Sequence, residues 1–235
     1  MATVDPSGPL TLGVIDYLNC QPLNWRIAER LPEVRRFNGV PTALNRGLLA
    51  GELAVAPISA YEYALHASEL LVVPELSIAT LGAVNSVNVF SWLPDPRKLE
   101  GQVVALTTDS ATSVNLLRVL CEQHYEIAPE WRPMRPDFDA MLAACEAALM
   151  IGDKALIEAT LRRRLANRGL PYFFDLGDEW LKLTGLPFTF AVWCVRRDRA
   201  SEVAAGQSFF GSRARGMVDI FFHDGAVDIR DAIRE

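Results

Sequence analysis

The sequence predicts an α/β protein with two lobes, each a sheet flanked by helices, and a ligand cleft between the lobes. Short apolar runs alternate with helical stretches along the chain, a pattern typical of parallel strands joined by crossover helices. The alternation runs through two cycles, joined by strand-like segments at Ser86–Trp92 and Phe188–Val195. Hydrophobic residues make up 50% and charged residues 22% of the 235 residues, a balance typical of a chain that packs a core and not of a disordered one.

Apolar runs and helical spacing place the elements of the first cycle. A strand at Leu10–Ile15 precedes a helix at 21–31, in which apolar side chains recur at helical spacing. Pro41 suits the start of the next helix and Gly51 its end, because proline fits a first turn and glycine closes a last one. The other predicted elements are strands at 34–40 and Ala54–Ser59, a helix at 60–69, and two strand-like pieces within 70–82.

The second cycle follows a loop at 93–101 that is rich in turn-forming residues. A strand at 102–108 runs directly into a helix at 109–125, which has one apolar side. The remaining predictions are a helix at 138–147, a buried strand at 147–153, a helix at 154–169 closed by Gly169, the strand Phe188–Val195, and helical segments at 201–222 and 224–235.

The two cycles suggest that one lobe is inserted into the other. Residues 1–85 and 190–235 are predicted to form the first lobe, and residues 86–189 the second, connected through two crossing segments. In open α/β folds, ligands bind where the carboxyl ends of the strands face a crevice. The side chains that follow each strand are therefore the candidates for a site.

Charge narrows the class of partner. Lys and Arg number 23 against 29 Asp and Glu, which gives a formal net charge of -6. Proteins that bind nucleic acid usually carry a basic face, so we expect no nucleic-acid partner. A small anionic ligand needs only a few local donors and remains allowed.

The chain is predicted to be cytoplasmic and to have no membrane partner. Residues 1–13 lack the basic and apolar regions of a signal peptide, and no apolar run approaches the ~18 residues of a spanning helix. The four cysteines are scattered without a CxxC pair, which favours buried reduced thiols over a zinc site or disulfides. We expect no metal and no organic cofactor, and either a monomer or a homodimer.

Three polar positions follow predicted strands. Asn19 lies in the loop Asp16–Asn19, and its amide offers donors and an acceptor that can orient a hydroxyl or a carboxylate; an ordinary polar loop is the equal alternative. Ser59 ends a strand, where capping of the next helix is the favoured alternative to ligand binding. Ser86 lies in a predicted crossing segment, which would form the floor of the cleft, and a turn cap is its alternative.

A hydroxyl-rich segment is the most informative feature. Five hydroxyl side chains lie where the strand 102–108 passes into the next helix: Thr107, Thr108, Ser110, Thr112 and Ser113. The first turn of a helix presents unpaired N–H groups and the positive end of its dipole, so the segment suits a carboxylate or phosphate. Asp109 would repel an anion if it pointed inward, and we expect it to face solvent.

One carboxylate completes the candidates. Asp153 ends the buried strand 147–153, where capping of the following helix is the favoured alternative to a position in the cleft as a proton carrier. The sequence has no G-x-G-x-x-G, Walker, G-x-S-x-G or H-E-x-x-H motif, which removes most support for those reaction classes. His66, His124 and His223 are dispersed among helical stretches, and a structural or surface role is expected for each.

Short motifs spread along most of the chain, from about Leu12 to Val195, carry a resemblance to a known family. They are Tyr17-Leu18-Asn19 with Pro22, Leu53–Ser59, Glu62-Tyr63-Ala64, Leu106-Thr107 with Ser110-x-Thr112-Ser113, Ile151-Gly152-Asp153 with Ala155-Leu156, Asp175-Leu176-Gly177 with Trp180, and Thr184–Phe188. Together they resemble the menaquinone-biosynthesis proteins of the futalosine pathway, and within that family the chorismate dehydratases.

The resemblance implies a periplasmic-binding-protein-like (type II) fold put to enzymatic use. It implies a hydro-lyase that converts chorismate to 3-[(1-carboxyvinyl)oxy]benzoate and water. By the same resemblance, Asn19 and Ser86 are the catalytic residues near the reacting ring. The expected substrate-binding residues are Ser59, Thr107, Thr108, Ser110, Thr112, Ser113 and Asp153.

For this reaction, we expect Asn19 and Ser86 to orient the leaving hydroxyl. The enolpyruvyl carboxylate of the substrate itself is the expected proton acceptor, with Asp153 as the alternative base. Two rival functions remain open. One is the sister enzyme 1,4-dihydroxy-6-naphthoate synthase, which is associated with a catalytic histidine in the cleft, and the other is a non-catalytic protein that binds a small carboxylate.

Overall fold

A computed structural model describes residues 10–30, 32–164 and 171–201. Its strands, in chain order, are β1 (Thr11–Val14), β2 (Arg35–Asn38), β3 (Val55–Ser59), β4 (Leu70–Thr80), β5 (Val87–Ser91), β6 (Val103–Thr107), β7 (Glu130–Met134), β8 (Ala147–Ile151), β9 (Tyr172–Asp175) and β10 (Phe188–Arg196). The predicted helix end at Gly169 and the helical segments after Ser201 lie outside the described residues.

Helices follow most of these strands. They are α1 (Gln21–Asn24), α2 (Ile27–Arg30), α3 (Pro41–Leu49), α4 (Ala60–Leu65), α5 (Ala111–Leu120), α6 (Phe138–Ala144), α7 (Gly152–Arg164) and α8 (Leu176–Thr184). A π-helical turn, Cys121–Tyr125, extends α5. Pro41 and Gly51 occupy the predicted ends of α3, and Gly51 has the positive φ of 78° that favours glycine.

The strands form two five-stranded sheets. The first has the order β2-β1-β3-β10-β4 and the second the order β7-β6-β8-β5-β9. Each sheet contains one reversed strand, since β10 is antiparallel to β3 and β4, and β5 is antiparallel to β8 and β9. The sheets are therefore mixed and not fully parallel. As a result, β5 begins at the edge where β8 ends, with Val87 opposite Ile151.

The chain crosses between the sheets through shorter segments than the sequence predicts. Ser86–Trp92 and Phe188–Val195 were expected as crossing segments, but most of their residues pair inside one sheet as β5 and β10. The connections are residues 81–86, between β4 and β5, and Gly185–Pro187, between α8 and β10. The division into lobes at 1–85, 86–189 and 190–235 stays a prediction.

Side chains alternate across the sheets and build a core on each face. In β5, Val89 joins the cluster that contains Leu117 of α5, whereas Phe90 joins the cluster that contains Met141 of α6. All five residues of β5 are buried, as expected for a strand covered on both faces. Tyr17 and Ile78 are half-buried and pack against both the Leu117 cluster of the second sheet and the Leu44 cluster of the first.

Two predicted elements differ from the structure. The helix expected at 21–31 is interrupted at Trp25 and Arg26, where Arg26 has a left-handed φ of 53°, so only two single turns form. The two strand-like pieces within 70–82 are one strand, β4. Pro74 lies within β4, which is an edge strand of the first sheet, where a missing backbone N–H is tolerated.

Candidate functional site

Polar side chains from both sheets meet where β1 ends and β5 begins. A single 3-10 turn, Leu18–Cys20, follows β1 and exposes Asn19 to solvent. The Nδ2 of Asn19 donates to the Oγ of Ser86 at 3.4 Å, and the Ser86 Oγ donates to the carbonyl of Val84 at 3.5 Å. Both hydrogen bonds are near the upper distance limit and therefore weak. The two predicted catalytic residues thus lie together, with Ser86 buried beneath the exposed amide.

Asp153 reaches the same turn from the second sheet. It lies in the first turn of α7, half-buried, and its Oδ1 accepts the backbone N–H of Leu18 at 2.8 Å. The carboxylate is thus directed at the turn that carries Asn19, and its role as a helix cap or as a proton carrier stays a prediction. This hydrogen bond joins the amino-terminal end of α7 to the loop after β1.

Tyr17 and Gly152, which were not among the predicted site residues, also pack closely between these loops. A Cβ on Gly152 would lie 2.8 Å from Cζ and 2.9 Å from Cε1 of Tyr17, closer than any real Cβ contact. Burial, and then the carboxylates of Asp109 and Asp153, raise the pKa of Tyr17 to about 12. The phenol therefore stays neutral near pH 7.

Cys20 lies beside Asn19 but is not a nucleophile in this setting. Its Sγ donates to the Oδ1 of Asn19 at 3.6 Å. Burial, and then Asp153, raise the pKa of Cys20 to about 12. Since the thiolate is the reactive form, a neutral thiol at this position is expected to orient the Asn19 amide.

The expectation that Asp109 faces solvent is corrected. Asp109 is half-buried, and its carboxylate lies near enough to Tyr17 to raise the pKa of the phenol. The backbone of this loop contacts the start of α3, because Thr42 donates its N–H to the carbonyl of Asp109 at 3.4 Å and its hydroxyl to the carbonyl of Thr108 at 3.3 Å. These contacts hold the loop after β6 against the first sheet's helices.

The hydroxyl groups at the start of α5 are organised by capping. The Oγ of Ser110 accepts the N–H of Ser113 at 3.1 Å and donates to the Oγ of Ser113 at 2.9 Å. Thr107 Oγ1 accepts the N–H of Asp109 at 3.2 Å, while the exposed Thr108 donates to the Asp109 carboxylate at 3.5 Å. Thr107 and Ser110 therefore shape the loop, and the hydroxyl proton of Ser113 stays available as a donor.

Thr112 links α5 to α4 of the first sheet. Its Oγ1 accepts the backbone N–H of Tyr61 at 3.2 Å. The N-cap of α4 is Ser59, whose Oγ accepts the N–H of Glu62 at 3.2 Å, as the capping alternative for Ser59 expects. Asn45, a buried polar residue of α3 that the sequence analysis missed, donates to the same Ser59 oxygen at 3.2 Å.

Most of the predicted site residues form two groups. Asn19, Ser86 and Asp153 meet at the turn after β1. Ser59 and the α5 residues meet where α4 approaches α5. Tyr17 is influenced by carboxylates beside both groups, since Asp109 and Asp153 each raise the pKa of its phenol.

Both histidines within the described residues make contacts elsewhere. His66 ends α4, where its Nδ1 lies 2.9 Å from Glu69 and its Nε2 3.4 Å from Glu62. His124 lies in the π-helical turn, 3.7 Å from the carboxylate of Glu179. His223 lies outside the described residues. Among residues 10–30, 32–164 and 171–201, no three His, Cys, Asp or Glu side chains are grouped to hold a metal ion, and no helix has the length and apolar character to cross a membrane.

Comparisons with known proteins identify relatives over most of the chain. A family model described as menaquinone biosynthesis matches residues 10–218. A chorismate dehydratase from Thermus thermophilus is 36% identical over 218 residues, which span 89% of this chain and 78% of that protein.

Solved structures support the fold. A protein from Archaeoglobus fulgidus aligns with a TM-score of 0.62 at 19% identity and covers 90% of this chain and 78% of its own. The alkanesulfonate-binding protein SsuA from Xanthomonas axonopodis pv. citri, bound to MOPS, aligns with a TM-score of 0.61 at 18% identity and covers 95% of this chain and 75% of its own. At these identities the likeness concerns the fold alone, and it confirms the predicted two-lobe architecture of solute-binding proteins.

Proposed function

The chain belongs to the menaquinone biosynthesis family, and from this premise we propose that it is a cytoplasmic chorismate dehydratase. It would convert chorismate to 3-[(1-carboxyvinyl)oxy]benzoate and water, the entry step of the futalosine route. The observation that carries the proposal is the contact of Asn19 with Ser86, which brings an amide and a hydroxyl from different sheets to one point. The 36% identity to a chorismate dehydratase supports the same reaction.

Binding of chorismate requires donors for two carboxylates. In the proposal, Thr112 and Ser113 hold one of them at the start of α5. Each hydroxyl oxygen already accepts a hydrogen bond, from the Tyr61 N–H and the Ser110 hydroxyl respectively, so each keeps its own O–H to donate to an anion. The positive end of the α5 dipole adds to the attraction.

Orientation of the leaving group falls to Asn19 and Ser86. Their mutual hydrogen bond at 3.4 Å is long, so exchanging it for bonds to the ring hydroxyl of chorismate costs little. Ser86 is buried whereas Asn19 is exposed, and an exposed amide can close over a bound ligand. Closure of the two lobes would then exclude water from the ring.

The dehydration needs a proton acceptor. We infer that the enolpyruvyl carboxylate of chorismate takes the proton from the ring carbon that bears the enolpyruvyl ether. The C–O bond of the neighbouring ring hydroxyl then breaks, the carboxyl group passes the same proton to the departing hydroxide to form water, and the ring becomes aromatic. Asp153 stays the alternative base, but its Oδ1 accepts the Leu18 N–H. Tyr17 and Cys20 are poor bases because both stay neutral near pH 7.

The two described histidines bear on the rival enzyme. A naphthoate synthase is expected to place a histidine in the cleft, whereas His66 pairs with Glu62 and Glu69, and His124 lies beside Glu179. Both pairings direct the imidazole rings toward other carboxylates. This favours the dehydratase within the described part of the chain.

The test is incubation of the purified protein with chorismate, followed by chromatography and mass spectrometry. The expected result is an aromatic product lighter than chorismate by one water, absent when the protein is omitted. Binding of chorismate without any product would favour the carboxylate-binding alternative. If chorismate neither bound to the protein nor gave a product, the proposal would be overturned.

A further inference from the structure

We propose that Tyr17 is a positioning residue, whose ring packs on Gly152 and thereby holds the Leu18–Cys20 turn where Asn19 reaches Ser86. This inference deepens the proposed dehydratase function, and its kinetic test rests on that function. Tyr17 acts through Asn19.

The contact leaves no space for a side chain on Gly152. A Cβ built there would lie 2.8, 2.9 and 3.0 Å from the Cζ, Cε1 and Cε2 atoms of Tyr17. Carbon atoms without a bond pack at about 3.5–4.0 Å. The ring of Tyr17 therefore occupies the volume that any other residue at 152 would fill with its Cβ.

Gly152 is itself fixed relative to Ser86. It joins β8 to α7 with a φ of 67°, a conformation that favours glycine. Its N–H donates to the carbonyl of Ser86 at 2.8 Å. The surface that receives the Tyr17 ring is thus one short hydrogen bond from one of the two proposed catalytic residues.

Tyr17 is fixed in the same way to the other catalytic residue. Its carbonyl accepts the N–H of Cys20 at 2.9 Å, which closes the turn that contains Asn19. The next residue, Leu18, donates its N–H to Asp153 at 2.8 Å. Displacement of the Tyr17 ring would therefore move the turn, lengthen the bond to Asp153 and carry the Asn19 amide away from Ser86.

The hydroxyl of Tyr17 contributes no base to this arrangement. A tyrosine phenol is neutral at physiological pH, and burial and the neighbouring carboxylates of Asp109 and Asp153 raise its pKa further. What the residue offers the site is the shape of its ring. Tyr17→Phe, which keeps that shape, is consequently expected to keep most of the turnover.

A purely structural role is the alternative, because Tyr17 also packs against the core clusters of both sheets. In that case, variants at 17 and 152 would lower the free energy of unfolding and leave the kinetics of the folded enzyme unchanged. Kinetic constants measured well below the melting temperature of each variant separate these roles. The free energy of unfolding is measured alongside them in urea.

The first comparison is Gly152→Ala with Gly101→Ala. Both glycines have similar positive φ, 67° and 65°, but a Cβ at Gly101 meets nothing within 4 Å. Gly101→Ala thus reports the backbone strain alone. We expect Gly152→Ala to lower kcat about 10–100-fold with a smaller change in KM, because the leaving hydroxyl is misoriented. Gly101→Ala should stay within about twofold of wild type. Equal kcat for the two variants would overturn the proposal.

The second comparison is a double-mutant cycle. In a Tyr17→Ala background the ring is gone, so adding Gly152→Ala should cost less than about threefold in kcat. If Gly152→Ala lowered kcat by the same factor with and without the Tyr17 ring, the proposal would be overturned. A Tyr17→Phe variant as impaired as Tyr17→Ala would also overturn it, since the hydroxyl and not the ring would then matter.

A readout without substrate keeps this inference separate from the dehydratase function. Hydrogen exchange of the Leu18 and Cys20 amides reports the turn directly, since both N–H groups are hydrogen-bonded. Gly152→Ala should speed their exchange, and Gly101→Ala should not. If the wild-type protein made no product from chorismate, the proposed function would fail, and this measurement alone would decide whether Tyr17 positions the turn.

Discussion

The carboxylate of Asp175 accepts the backbone N–H of Asn85 at 2.6 Å and fastens the crossing segment 81–86 to the second sheet. The same buried side chain accepts the N–H of Val84 at 3.0 Å and, at the start of α8, the N–H of Gly177 at 2.9 Å. One carboxylate thus caps a helix and holds the connection between the sheets. Gly177 lies so close to this connection that a Cβ there would collide with the carbonyl of Gly82.

Replacing this carboxylate should weaken the fold more than replacing an ordinary cap. In Asp175→Asn, one acceptor oxygen becomes an NH2 group that faces backbone N–H donors, and we expect a loss of about 1–3 kcal/mol in the free energy of unfolding. Asp137→Asn is the control, since Asp137 caps α6 through a single N–H, that of Ala140, at 2.9 Å. Urea unfolding measures both, and equal losses would contradict the special role of Asp175.

Ser86→Ala should reduce turnover without a matching loss of binding. The variant removes the hydroxyl proposed to orient the leaving group, and we expect kcat to fall about 100-fold, as for loss of one oriented donor elsewhere. Asn19→Ala should act in the same direction. Ser91→Ala is the matched control on the same strand, because Ser91 is also buried but caps a turn through the N–H of Leu93 at 3.0 Å. Unchanged turnover in Ser86→Ala would place the chemistry elsewhere.

Thr112→Val should weaken substrate binding. The substitution keeps the shape of the side chain but removes both the acceptor for the Tyr61 N–H and the proposed donor to a carboxylate. We expect KM to rise about tenfold, the effect of one hydrogen bond of about 1.4 kcal/mol. Thr160→Val removes a hydroxyl from α7 that donates only to the carbonyl of Leu156. A KM that changes equally in both variants would argue against the assignment.

Buried thiols should make the fold sensitive to alkaline pH. Burial raises the pKa of Cys121 and Cys194 from 9.0 to about 12, and burial followed by Asp153 does the same for Cys20. Because these groups hold their protons more tightly in the folded state, their contribution is complete below pH 9 and is lost as the pH rises toward 12. Each thiol adds a loss of up to about 1.4 kcal/mol per pH unit in this window.

Urea unfolding at a series of pH values measures this loss. The Cys121→Ala variant should show a shallower decline than wild type, because one titrating group is missing. Stability that stays constant up to pH 12 would show that the thiols are not protected as the structure indicates.

Tyr125→Phe should affect stability alone. The Tyr125 hydroxyl donates to Glu179 at 2.6 Å in a buried pair, and Lys182 approaches the other oxygen of the same carboxylate at 2.6 Å. Removing the hydroxyl takes a hydrogen-bond donor away from a buried oxygen of Glu179, and we expect the free energy of unfolding to fall by about 1–3 kcal/mol. Calorimetry measures the loss. If kcat or KM also changed in Tyr125→Phe, the pair of Tyr125 and Glu179 would be coupled to the proposed chorismate site, which would contradict this prediction.

The strands that were predicted best are those in which a run of apolar residues corresponds to a fully buried strand. β3 and β8 are continuous apolar runs and are buried along their whole length. β7 was missed because its residues, Glu130–Met134, include two charged side chains and Pro133, which an edge strand tolerates. β9 was missed as well, since four residues before a helix give little periodic signal.

The candidate site was predictable only in part, for a comparable reason. The family resemblance alone predicted that Asn19 and Ser86 lie near the same reacting ring, and the structure places the two side chains in contact. The contact of Tyr17 with Gly152 depends on which loops face each other across the two sheets. The only sign of this contact in the sequence was Gly152, a glycine between a buried strand and a helix. Asn45 was a sign of a different contact, as a polar residue next to the apolar face of α3.

Tyr17 and Ile78 pack against core clusters that belong to different sheets. If either half of the molecule unfolded, the other half would lose the apolar contacts that Tyr17 and Ile78 make with it. The two lobes should consequently unfold as one cooperative unit, although each has its own sheet and the backbone of the described residues connects them twice.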